Sequence, residues 1–189
     1  MGNHIHKKIP KEECKFLEEN TDFTKSNILD FYKDFMKINP DGNMSMADFK
    51  DFLYGFYNTR TDSLAEHYFR AADKDKSGKI NFKEFLLFLN HECTTNPYER
   101  LNWMFDLFDI DGNGTIERSE MIKVYKTALD LNGKQAADDP TPEEIADRMF
   151  ECCDKNKDNV LTKEEFVTTF MEDSVLFAIF CRNTDRNKK

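Results

Sequence analysis

Between residues 24 and 36 the apolar side chains return at helical spacing. Ile28, Leu29, Phe31, Tyr32, Phe35 and Met36 share one broad face, and Thr24 stands where an N-cap belongs. A phenylalanine then marks the same place repeatedly: Phe69, Phe105 and Phe150 each stand four residues before a stretch of Asp, Asn and Lys. Phe49, Phe85 and Phe166 stand just after such stretches. Inside the later stretches a lone aliphatic residue, Ile80, Ile116 or Leu161, predicts a strand of two or three residues. Strands that short cannot stand alone and must pair. The pattern therefore predicts helix–short strand–helix units beginning near residues 37, 73, 109 and 154, at steps of 36, 36 and 45 residues. Thr94-Thr95-Asn96-Pro97 divides them into two pairs, with Asn96 as an N-cap, Pro97 at N1 and Glu99 at N3. Before the last unit, Asn132-Gly133 and Thr141-Pro142-Glu143-Glu144 mark a flexible insert and a second helix start.

The polar stretches carry the chemistry. Oxygen donors recur at positions 1, 3, 5, 7 and 12 of a twelve-residue loop, the spacing of an EF-hand calcium loop. The ion dictates that spacing, because Ca²⁺ takes roughly 6–8 oxygens at about 2.3–2.6 Å. The candidate ligands are Asp73, Asp75, Ser77, Lys79 and Glu84 in the second loop. Asp109, Asp111, Asn113, Thr115 and Glu120 form the third set, and Asp154, Asn156, Asp158, Val160 and Glu165 the fourth. Lys79, Thr115 and Val160 contribute through their backbone carbonyls. Three calcium sites are expected, with Mg²⁺ a possible occupant when calcium is absent. The first unit, 37–48, keeps Gly42 and Met44 in register but has Lys37, Pro40 and Asp48 at positions 1, 4 and 12, so it is expected to bind no calcium. Among the rest, loop three has Asp109, Asp111, Glu117 and Glu120 and is expected to bind most tightly. Loop four, with Asn159 where glycine is usual, is expected to be weakest.

The expected fold is all-α: two EF-hand pairs, four hands with the first degenerate, and short antiparallel strands linking paired loops. Residues 1–94 would hold hands one and two (loops 37–48 and 73–84). Residues 95–189 would hold hands three and four (loops 109–120 and 154–165) and a C-terminal tail. The formal charge of −9 follows largely from the loops. Three bound Ca²⁺ would bring it to about −3. An acidic balance argues against nucleic acid as a partner. Cys14, Cys93, Cys152, Cys153 and Cys181 show no CxxC spacing and read as reduced thiols of a cytosolic protein. No run approaches the ~18 apolar residues of a membrane span. The four histidines, His4, His6, His67 and His91, are scattered and no nucleophile motif occurs, so an enzyme is not expected.

Eighteen Phe and eight Met exceed what four helical pairs need for their cores. Phe31, Phe35, Phe52, Phe56, Phe85 and Trp103 are the candidates to line a groove for a target helix, with packing in the core as the alternative. Met1-Gly2-Asn3 suggests myristoylation of Gly2, although His6 replaces the usual Ser or Thr at the sixth place. Lys7, Lys8, Lys11 and Lys15 either add attraction to anionic lipid or form a solvated basic terminus. Ser174–Phe180 is apolar and either folds into the groove or packs within the C-terminal half; Arg182 to Lys189 is polar and basic.

These residues resemble the neuronal calcium sensor family, the group of frequenin-, recoverin- and visinin-like proteins and guanylyl cyclase activators. The likeness rests on the Met-Gly start, the degenerate first hand, three intact hands and the long insert before the fourth. Phe31-Tyr32-Lys33-x-Phe35 and Glu99-Arg100-Leu101-Asn102-Trp103-Met104-Phe105 resemble family runs, while Asn39-Pro40-Asp41-Gly42 replaces its usual Cys-Pro-x-Gly. The resemblance implies a cytoplasmic, peripherally membrane-bound calcium-myristoyl sensor. It implies a monomer or weak dimer that regulates a cyclase, receptor kinase, lipid kinase or channel. A calcineurin B-like regulatory subunit and a calcium buffer are the alternatives. Lys37 and Pro40 argue against the first of these, and the Phe-rich groove and Met-Gly start against the second.

Overall fold

A computed structural model describes residues 8–57, 62–131 and 140–173. Gly2, His4, His6, Lys7, the Asn132-Gly133 insert, Ser174–Phe180, Cys181 and Arg182–Lys189 lie outside them.

The first hand is α2 (Lys25–Ile38), β1 (Asn43–Met44) and α3 (Met46–Tyr57). The second is α4 (Asp62–Ala72), β2 (Ile80–Asn81) and α5 (Phe82–Cys93). Then come α6 (Pro97–Phe108), β3 (Thr115–Glu117) and α7 (Arg118–Leu131), followed by α8 (Pro142–Cys153), β4 (Val160–Thr162) and α9 (Lys163–Glu172). Ahead of them lies a further helix, α1 (Lys11–Asn20), outside the four expected units. It buries Cys14 and Leu17 and packs against α2 and α5. The chain is thus all-α, two EF-hand pairs with short antiparallel strand links. β1 pairs β2 with Met44 opposite Ile80, and β3 pairs β4 with Ile116 opposite Leu161. All four of these side chains are buried.

The repeating phenylalanines meet across each pair. Phe35, before loop one, lies 5.2 Å from Phe85, after loop two, and Phe49 lies 5.6 Å from Phe69 in the reciprocal contact. Phe105 and Phe166 repeat this at 5.9 Å between hands three and four. Position 13 of loop three is Met121, and Phe150, the remaining member of the set, is only half-buried.

Helix starts follow local chemistry. Thr24 caps α2 reciprocally with Asn27, and Asn96 accepts from the Tyr98 N–H with Pro97 at the first helical position. At the linker, Thr94 Oγ1 donates to Asp22 and Glu99, while the Asp22 N–H donates to Asn90. Cys14, Cys152 and Cys153 are free thiols, and burial pushes the Cys153 thiol up to about 12. Among the described residues no helix is long and apolar enough to cross a membrane.

Candidate functional site

Each intact loop begins at the residue that ends a helix. The N–H groups of Asp73, Asp109 and Asp154 donate to the carbonyls of Phe69, Phe105 and Phe150. The first-position carboxylate then turns inward and gathers loop amides. Asp73 accepts from Ser77 N (2.9 Å) and Gly78 N (2.8 Å). Asp109 accepts from Gly112, Asn113 and Gly114, and Asp154 from Lys157, Asp158 and Asn159.

Position 12 has two duties. Positions 9 and 12 are three apart, so the same pair forms the capping box of the next helix in loops two and four, and its position-12 arm in loop three. Asn81 N donates to Glu84 Oε2 at 3.0 Å, Glu117 N to Glu120 Oε2 at 2.8 Å, and Thr162 N to Glu165 Oε2 at 3.0 Å. In loops two and three the other oxygen crosses the loop: Glu84 Oε1 accepts from Lys74 N (3.0 Å), and Glu120 Oε1 from Ile110 N (2.8 Å) and Asp111 N (3.1 Å). As a result Asp73, Asp75 and Glu84 present oxygens all within 4.8 Å of one another, as do Asp109, Asp111 and Glu120. Asp73, Glu84, Asp109 and Glu120 are buried.

Loop four is looser. Glu165 accepts from Thr162 N and Oγ1, a contact confined to the cap, and Asp154 and Glu165 are half-exposed. Positions 4 and 6 of each intact loop have positive φ. Loop three fills them with Gly112 and Gly114, loop two with Lys76 and Gly78, and loop four with Lys157 and Asn159. Only glycine adopts this conformation without cost.

The first loop differs in length as well as ligands. Asn39, not Lys37, ends α2, its N–H donating to Phe35 O, and Lys37 is still helical and exposed. Asp73 to Ile80, Asp109 to Ile116 and Asp154 to Leu161 each take seven steps; Asn39 to Met44 takes five. The expected register therefore holds when counted from the strand but slips by two at the helix end, because α2 winds on through Lys37 and Ile38. Ser45 and Asp48 still exchange hydrogen bonds at the head of α3 (Ser45 N to Asp48 Oδ2, 3.1 Å; Asp48 N to Ser45 Oγ, 3.3 Å).

Beside this loop lies an apolar cavity of about 520 Å³. Phe31, Phe35, Phe52, Phe56 and Phe85 line it, and so do Phe23, Ile38 and Leu89, which no sequence pattern singles out. Ile38 (69 % exposed) and Phe56 (39 %) remain open to solvent. Trp103, expected in the groove, does not line this cavity. It is 4 % exposed on α6, its ring parallel to His91 at 5.1 Å and to Tyr68 at 6.5 Å, with Lys74 Nζ 5.8 Å from its centre. The reason is that α6 buries Leu101, Trp103, Met104, Phe105, Leu107 and Phe108, so its periodicity singles out no one face.

The family model for an EF-hand domain pair matches residues 98–171, and that for an EF hand domain matches 65–92. Human recoverin is 31 % identical over 173 residues, covering 88 % of this chain and 86 % of recoverin. The chain belongs to the neuronal calcium sensor family. Two other similar proteins are S-modulin of Aquarana catesbeiana, 29 % identical over 88 % of this chain and 86 % of its own length, and guanylyl cyclase-activating protein 2 of Lithobates pipiens, 31 % identical over 88 % and 83 %.

The loops of this neuronal calcium sensor fit a calcium ion on their own chemistry. All donors are oxygens, as a hard cation requires. Burial pushes the Glu84 carboxyl up, amides of Asn81 and Asp75 pull it back, and the Asp75 and Asp73 charges raise it again. Hydrogen bonds from Ser77 hold Asp75 below the usual carboxylate range. Carboxylates turned towards one point repel one another, and a cation among them would relieve that repulsion.

Proposed function

We propose that this chain is a calcium-responsive regulator in which loops two, three and four take calcium and the cavity beside loop one receives an apolar helix of a target protein. A bound divalent cation supplies the positive charge that the clustered carboxylates lack. Glu84 and Glu120 stand ready to pass an oxygen from backbone amides to that cation while the other oxygen keeps its cap. The observation that carries the target reading is the open cavity lined by Phe31, Phe35, Phe52, Phe56 and Phe85. Apolar surface left in water costs about 25 cal/mol per Å², so a contiguous exposed patch of this kind marks a binding site. The role is regulatory rather than catalytic, and the division at residues 94 and 95 separates a target-binding half from a half with two intact loops.

The likeness to guanylyl cyclase-activating protein 2 makes a guanylyl cyclase one candidate target. Receptor kinases, lipid kinases and channels are the other classes. Acylation of Gly2 would place the protein at a membrane surface from the cytoplasm, aided by Lys8, Lys11 and Lys15. One myristoyl chain anchors only marginally, so the lysines and the target would share that task.

Calcium titration at physiological Mg²⁺, read by calorimetry together with binding of an anilinonaphthalene sulfonate dye, tests this reading. Calcium uptake with a rise in dye binding is expected, and Phe31→Ser/Phe56→Ser should weaken dye binding about tenfold or more while leaving calcium uptake unchanged. Uptake without dye binding would instead identify a buffer. No uptake would sink the calcium reading itself.

The loops should fill unequally, three most tightly and four most weakly. Asn159→Gly relieves one left-handed side chain, a conformation that costs an L-residue about 1–2 kcal/mol, with asparagine at the low end. The weakest step of the titration is expected to tighten by about three- to fivefold, leaving the tighter steps unchanged.

A further inference from the structure

Two lysines from different halves of the chain share one carboxylate. Lys74 Nζ lies 2.7 Å from Asp106 Oδ2, and Lys163 Nζ lies 2.6 Å from Asp106 Oδ1. Lys74 is the second residue of loop two, and Lys163 is the tenth residue of loop four. Asp106 sits on the last turn of α6, three residues ahead of loop three. Arg70 on α4 reinforces the junction. Its guanidinium donates to the carbonyls of Asp109 (2.7 Å), Leu107 (2.6 Å) and Asp106 (3.3 Å), groups that the end of a helix leaves without partners.

Each member of this bridge is tied to a calcium ligand. The backbone N–H of Lys74 holds Glu84 Oε1 at 3.0 Å, so the residue that steadies the twelfth-position carboxylate also reaches Asp106. Lys163 lies inside the capping box of Thr162 and Glu165. The helix that carries Asp106 ends at Asp109, the first ligand of loop three. The Asp106 side chain is 28 % exposed, which screens the bridge less than an open surface pair.

We propose that the Lys74–Asp106–Lys163 bridge is a coupling device that links occupancy of loop two to occupancy of loops three and four. The proposal rests on the reading that these loops bind calcium. When Glu84 leaves the Lys74 amide for an ion, the loop segment carrying Lys74 repositions, and its ammonium pulls on the α6 turn that presents Asp109. The same linkage runs in reverse, because coupling between sites is reciprocal. The half that lines the cavity thereby responds to ions taken up in the other half.

Asp106→Asn keeps the volume of the side chain and removes the charge. The affinity of loop two is measured by calorimetry with loop three intact and with loop three silenced by Glu120→Gln, each with and without Asp106→Asn. With Asp106 present, silencing loop three should weaken loop two by roughly fivefold or more. With Asp106→Asn that dependence should fall to about twofold or less, although each loop still binds. Because the comparison is a ratio, any direct effect of the lost charge on both titrations cancels. Lys163→Met, which removes the ammonium of the loop-four arm, should loosen the link between loops two and four and leave the effect of loop three intact. An unchanged dependence in Asp106→Asn, or none with Asp106 present, overturns the proposal while leaving calcium binding standing. Failure of the unsubstituted protein to bind calcium overturns the calcium reading and this proposal together.

Discussion

Glu120→Gln is expected to weaken calcium binding at loop three on the order of 100-fold or more, removing the tightest step of a calorimetric titration. Changes to groups that merely support a metal ligand cost about 10–100-fold, and Glu120 is a candidate ligand itself. Glu120 is 8 % exposed, and its carboxylate stands with those of Asp109 and Asp111 around one point. Glutamine keeps the length and the cap acceptor from Glu117 N but offers a single neutral oxygen in place of two charged ones. The helix α7 should therefore persist, and far-ultraviolet circular dichroism of the calcium-free protein should be unchanged. Glu165→Gln should alter only the weakest step, because Glu165 contacts its cap rather than the far side of its loop. Equal losses for the two substitutions would contradict the ranking.

Phe49→Ala should destabilise the N-terminal half by about 3–5 kcal/mol, read as a shift in a denaturant titration of the calcium-free protein. Phe49 has no exposed surface and lies 5.6 Å from Phe69 on α4 and 5.2 Å from Phe88 on α5. One ring thus joins three helices, and neither neighbour belongs to its own hand's first helix. Phe56→Ala, on the same helix but 39 % exposed, should cost about 1 kcal/mol or less. The pair separates the floor of the half from the rim of its cavity. If the two variants lost similar stability, the cavity would be part of the core rather than a surface for a partner.

The loops were legible in the sequence because an ion dictates their spacing, and the capping box repeats part of the same code. Asp73, Asp109 and Asp154 fall at helix ends for both reasons. The paired strands followed from Ile80, Ile116 and Leu161. Less was legible where the pattern was uniform. The helix α6 is apolar on most sides, so only packing reveals that Trp103 faces His91 and Tyr68 rather than the cavity. The 36-residue step back from Asp73 places loop one at Lys37, and that step conceals that α2 runs two residues further than its counterparts. The helix α1 was readable in principle from Cys14, Phe16 and Leu17, which recur at helical spacing behind Pro10. The Lys74–Asp106–Lys163 bridge was not, since no local rule brings residues 74, 106 and 163 together.

The Ser45–Asp48 pair at the head of α3 has a wider consequence. An aspartate is too short to span a loop, yet it secures a helix start as glutamate does in the other three hands. Shape and sensing are therefore inherited separately in this architecture. A hand can drift out of ion binding by shortening one side chain and one loop, while Met44 still zips to Ile80 and Phe35 still meets Phe85. The silent hand is then released from the demands of chelation, and its surroundings can change to suit whatever docks there. In this chain the cavity lies beside the loop that has Lys37 and Asp48 where the others have an aspartate and a glutamate.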